Sequence, residues 1–99
     1  MTIRMFKEKV KPQGRDERVG YTIDTLPWGG SPSNVVVAVT LKGEDVSDDH
    51  LDGEATVALN TITTPLVVSL LPGNRYQLEV RWDCQSNTFE AFGWIIGEA

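Results

Sequence analysis

Between Tyr76 and Cys84 the chain alternates without a break. Tyr76, Leu78, Val80, Trp82 and Cys84 take one parity; Gln77, Glu79, Arg81 and Asp83 take the other. A strand turns successive side chains to opposite faces, so this spacing predicts a strand with one apolar and one polar face. A helix would scatter the same residues around its circumference. An apolar face of this length needs a second layer to cover it.

The rest of the chain reads the same way. Ser86-Asn87 predicts a hairpin into Thr88 to Ile96, where Phe89, Ala91, Gly93 and Ile95 share one parity and Phe92, Trp94 and Ile96 the other. Asn34 to Leu41 predicts a β-branched strand with Val35, Val37, Val39 and Leu41 on one face. Val36 and Ala38 make its other face apolar as well, which predicts a central position. Val19, Tyr21 and Ile23 predict a half-buried strand. Asp45 to Ser47 and Ala55 to Leu59 predict two short ones. Ile62 to Leu71 predicts another, with Ile62, Leu66, Val68 and Leu70 on one face and Pro65 marking an edge or bulge.

Seven strand candidates follow, separated by turn signals at 26–33, Lys42-Gly43, Asp52-Gly53 and Pro72-Gly73-Asn74. Nothing after Val19 repeats every 3.6 residues. The pattern predicts an all-β sandwich or barrel. Ninety-nine residues allow one domain. Residues 1–18 read as a basic N-terminal arm with room for one short strand, since Pro12 and Gly14 stop any helix begun at Phe6 and Val10. Residues 19–99 read as the sandwich.

Charge divides at the same place. Residues 1–18 hold six basic and three acidic residues; the remainder holds three basic and eleven acidic. A body this acidic repels nucleic acid and anionic lipid, so neither is an expected partner. No apolar run is long enough to cross a membrane, and the first residues lack the apolar core of a signal peptide. The expectation is a cytoplasmic protein as synthesised.

The chemical candidates are few. One cysteine and one histidine exclude an intramolecular disulfide, a Cys-rich zinc site and every motif that needs two histidines. Asp48-Asp49-His50-Leu51-Asp52-Gly53-Glu54 has acidic spacing like a calcium loop. The position that should carry a bidentate glutamate is Leu59, however, and no flanking helices are predicted. This stretch reads as a solvated acidic loop, with His50 exposed in it. Cys84 shares parity with Trp82 and reads as a small buried hydrophobe. No catalytic residue, cofactor site, metal site or small-molecule substrate is expected, and the chain reads as no enzyme.

Leu70-Leu71-Pro72-Gly73-Asn74-Arg75-Tyr76-Gln77-Leu78-Glu79-Val80 resembles the corner between the fifth and sixth strands of fibronectin type III and related immunoglobulin-like sandwiches. Their pattern is Leu-x-Pro-Gly-x-x-Tyr-x-aliphatic-x-Val. The resemblance implies a single seven-stranded sandwich of that kind. Its structural corner would be Pro72, Gly73 and Tyr76, with the Tyr76 hydroxyl bonded to backbone a few residues upstream. It implies no activity.

Asp16-Glu17-Arg18-Val19-Gly20-Tyr21-Thr22-Ile23-Asp24, followed by Trp28, resembles the opening of small immunoglobulin-like proteins encoded in tailed-phage and prophage genomes. Tyr21, Ile23, Asp24 and Trp28 fit that pattern. Thr25 stands where those proteins carry a first tryptophan, and Gly29 where they carry leucine. The order of the later elements fits over most of residues 16–96. This resemblance implies a non-catalytic structural or accessory protein, virion-associated in that setting, that works by protein contact or self-association. The candidate contact residues are Phe92, Trp94, Ile96 and Trp28. The alternatives are a small carbohydrate-binding module using Trp28 and Trp94, and a bacterial protein-binding domain with no phage connection.

Overall fold

The computed structural model describes residues 11–99. Arg4, Phe6, Lys7, Lys9 and Val10 of the expected arm lie outside the described residues. The chain is all-β, with ten strands and one helical turn of α type among the described residues: β1 Lys11–Gly14, β2 Thr22–Asp24, β3 Ser33–Leu41, β4 Glu44–Asp45, α1 Ser47–His50, β5 Leu51–Asp52, β6 Thr56–Ala58, β7 Thr61–Thr63, β8 Leu66–Val67, β9 Arg75–Cys84 and β10 Asn87–Glu98. A 3₁₀ turn spans Leu26–Trp28. Five strands form one sheet in the order β1-β10-β9-β3-β4. Three form another, β2-β7-β6, and β5 pairs with β8.

The long alternating runs become the longest strands. β9 and β10 pair antiparallel from Cys84–Asn87 to Arg75–Ile96. The loop between them is Gln85-Ser86, one residue earlier than the turn signal suggests, and Gln85 takes a positive φ of 56°. On β9 the even residues from Tyr76 to Cys84 are all buried. They bridge two core clusters. Val80 and Trp82 pack with Ile23, Ile62 and Ala91. Tyr76 and Leu78 pack with Val39, Val67, Leu70 and Ile95. Each fully buried aliphatic side chain contributes on the order of 1.5–3 kcal/mol, so the buried face of β9 is a large part of core stability.

Five expectations are corrected. The strand from Val19 is interrupted: Val19 makes an isolated bridge to Val67, and β2 starts only at Thr22. The cause is local, because the Tyr21 N–H donates to the Thr64 hydroxyl rather than to a carbonyl. The run from Ile62 to Leu71 is two strands, β7 and β8, that change face at Thr64-Pro65. Ile62 is buried before this slip and Val67 after it, while Leu66 is exposed. Asp45 to Ser47 is not one strand; β4 ends at Asp45, and the Asp45 carboxylate accepts from the Ser47 N–H as α1 begins. β3 is less central than its two apolar faces suggest, since β9 pairs along it but β4 covers only Thr40 and Leu41. Finally, His50 is buried, not exposed. Its ring meets the Tyr76 ring edge-on, with centroids 4.8 Å apart, and its Nδ1 lies 3.2 Å from the Val68 carbonyl.

β1 lies within the stretch expected as an arm. It joins the large sheet, pairing parallel with β10 from Lys11–Ile95 to Gly14–Glu98. Buried Gln13 fastens it: its amide donates to the Val67 carbonyl at 2.7 Å, and its Oε1 accepts from the Tyr21 hydroxyl at 2.8 Å. Burial and the nearby charge of Glu17 push the Tyr21 phenol up to about 12.

Candidate functional site

The register of the large sheet places its outward side chains in rows. Trp94, Gln77 and Thr40 form one row, Phe92, Glu79 and Ala38 the next, and Glu90, Arg81 and Val36 the third. Ile96 stands opposite Arg75. The parity that buries Ala91 and Ile95 therefore turns Phe92, Trp94 and Ile96 outward together. Phe92 is 54% exposed, Val36 49% and Ile96 36%. Trp94 is half-buried. The Phe92 and Trp94 rings meet nearly perpendicular with centroids 6.4 Å apart. The Arg75 guanidinium lies over Trp94, 4.6 Å from its centroid, and covers part of the ring.

A groove of about 440 Å³ runs across this face. Val36 and Ala38 on β3 and Phe92 on β10 supply its apolar lining, and Gln77, Glu79 and Arg81 on β9 its polar lining. The Thr40 hydroxyl lies 3.3 Å from Glu79 Oε2 and 3.4 Å from Gln77 Oε1. Asp45, which also lines the groove, is held below the usual carboxylate range by hydrogen bonds from the Ser47 hydroxyl and N–H.

Trp28 is elsewhere. It is half-buried and packs edge-on against buried Trp82, with centroids 5.6 Å apart, and against Phe89 at 6.4 Å. Phe89 is on the inward parity of β10, so Trp28 closes one end of the core while Trp94 stands on the outer face. The structure does not bring the two tryptophans onto one surface. The loop that carries Trp28 is pinned by Asn60, whose carbonyl accepts from the Thr25 N–H at 2.8 Å and whose Oδ1 accepts from the Ser31 N–H at 3.1 Å. Gly30 has a φ of 71°, and a Cβ there would collide with Asn60 Oδ1.

The corner residues do meet. The Tyr76 hydroxyl accepts from the Leu71 N–H at 3.1 Å across the Pro72-Gly73 turn. The acidic stretch does not form a cradle: Asp48 and Asp49 lie in α1, His50 turns inward, and Asp52 pairs with Arg18. Among the described residues, no three His, Cys, Asp or Glu side chains are grouped to hold a metal ion. No helix among them is long and apolar enough to cross a membrane. Val36, Glu79 and the groove itself were missed by sequence reasoning, because only the register between β3 and β9 places them beside Phe92.

Compared with protein families, curated proteins and solved structures, the chain finds no match.

Proposed function

We propose that this chain is a seven-stranded immunoglobulin-like sandwich, in the broad fibronectin type III sense, that works without catalysis through protein contact. Two features support the fold reading. β2-β7-β6 opposite β3-β9-β10 follows the partition of such sandwiches into B-E-D and C-F-G strands. The bond from Leu71 to the Tyr76 hydroxyl is the contact expected at their tyrosine corner. The resemblance of residues 16–24 and Trp28 to small phage and prophage proteins supports a structural or accessory role in such an assembly.

The observation that carries the contact reading is the run of Phe92, Trp94 and Ile96 along the outward side of β10, with exposed Val36 on the same face beyond the polar row of β9. Three outward apolar side chains in a row on an otherwise acidic protein are costly to leave in water and mark a contact site. Aromatic residues on such a patch are the usual anchors. The carbohydrate reading has no comparable support, since Trp28 is spent on the core.

Sedimentation velocity tests this reading. The wild type should sediment above the 11.0 kDa monomer, and Trp94→Ser should sediment as a folded monomer. A monomeric wild type that unfolds on Trp94→Ser would assign Trp94 to the fold and remove the contact site.

A further inference from the structure

We propose that the groove on the outer face receives a basic side chain, lysine or arginine, presented by a protein partner between apolar neighbours. The inference rests on the contact function above and names the chemistry of that partner.

The argument starts from charge. Asp45, Glu79 and Glu90 line the groove against one cation, Arg81, for a formal net charge of −2. The ion pairs among the described residues are Arg15–Asp16 and Arg18–Asp52. Neither Glu79 nor Glu90 has a cation in salt-bridge contact there. Glu79 is half-buried on the central strand, where an added charge is screened less than on open surface. A purely apolar partner would take water from Glu79 and return nothing, which is unfavourable. An acidic side chain placed in the groove would be repelled.

Shape points the same way. Lysine and arginine carry an apolar stem and a charged head. Val36, Ala38 and Phe92 suit the stem, and Glu79, whose cross-strand partners are Phe92 and Ala38, suits the head, while Glu90 stands opposite Arg81. The face already shows a contact of this type, because Arg75 lies on Trp94. Phe92, beside it and more exposed, has no such cation among the described residues.

The test uses the full chain and a short peptide of alternating arginine and valine, with a glutamate–valine peptide as control. Calorimetry should show binding of the first and none of the second. Glu79→Gln keeps an acceptor for Thr40 but loses the charge, and should weaken binding about tenfold or more. Phe92→Ser should weaken it as well, and Glu54→Gln, outside the groove, should leave it unchanged. Equal losses from Glu54→Gln and Glu79→Gln would mean that net charge alone draws the peptide, and would overturn the proposal. Binding that appears only when Arg4, Lys7 and Lys9 are all changed to Gln would make this chain's own basic stretch the occupant, and would also overturn it. If the peptide fails to bind while Trp94→Ser still dissolves an assembly, the contact function stands and the basic partner falls.

Discussion

The Leu71 N–H donates to the Tyr76 hydroxyl at 3.1 Å, so one side chain of β9 holds the backbone of the turn that delivers it. Tyr76 is fully buried, with its ring against His50. Phenylalanine would fill the same space and leave the Leu71 N–H without this acceptor. Tyr76→Phe should therefore cost about 1–2 kcal/mol, read as a lower urea midpoint at unchanged slope. An unchanged midpoint would show that the bond contributes nothing to the corner.

The end of β10 closes on the same turn. The Gly73 N–H donates to the Gly97 carbonyl at 3.0 Å, and the Gly97 N–H donates to the Asn74 carbonyl at 2.9 Å. A Cβ on Gly97 would collide with the Leu71 carbonyl, which is backbone and cannot rotate away. Gly97→Ala should destabilise by about 1–3 kcal/mol, the usual cost of forcing atoms into a packed site. Thermal denaturation checks this; wild-type stability would mean that the corner has room to shift.

Acid should loosen the junction of β3 and β9. Hydrogen bonds from Asn34 and then Thr88 hold the Asp83 carboxyl below the usual carboxylate range, at 3.0 and 2.8 Å. A carboxylate with a lowered folded value adds stability above its unfolded value, near 3.9. That contribution is lost as pH falls through the folded value. Asp83→Asn should therefore lose less stability than wild type between neutral pH and pH values below about 4. Parallel losses in the two proteins would refute the assignment.

Calcium should leave the melting temperature unchanged, because no three carboxylates of residues 48–54 are grouped to hold an ion. Asp52 is already paired with Arg18. Sub-millimolar binding by calorimetry, abolished by Asp48→Asn, would contradict this.

Much of this architecture is legible in the sequence where a strand is long. Alternation over the nine residues from Tyr76 to Cys84 identifies the buried face of β9, and the parity of Phe92, Trp94 and Ile96 sets them on the face of β10 opposite to Ala91 and Ile95. Short strands are not legible in the same way. At Leu66-Val67 both residues are apolar, so nothing local shows which one faces the core; the slip at Thr64-Pro65 decides it. His50 looks exposed because its neighbours are acidic, and its burial comes from Tyr76, 26 positions away. Buried Gln13 depends on Val67 and Tyr21 in the same manner. The groove is a product of register between β3 and β9, which no single segment encodes.

The most direct test of the central claim is a dilution series followed by backbone amide NMR. Exposed apolar residues also occur at the edge of the small sheet, at Val57 on β6, and just after it at Leu59, which is 90% exposed. If the outer face is the contact surface, resonances of Val36, Glu79, Phe92, Trp94 and Ile96 should move together with concentration. Phe92→Ser should abolish that movement while Val39 and Trp82 keep their folded shifts. Movement centred on Val57 and Leu59, with the outer face unchanged, would contradict the account.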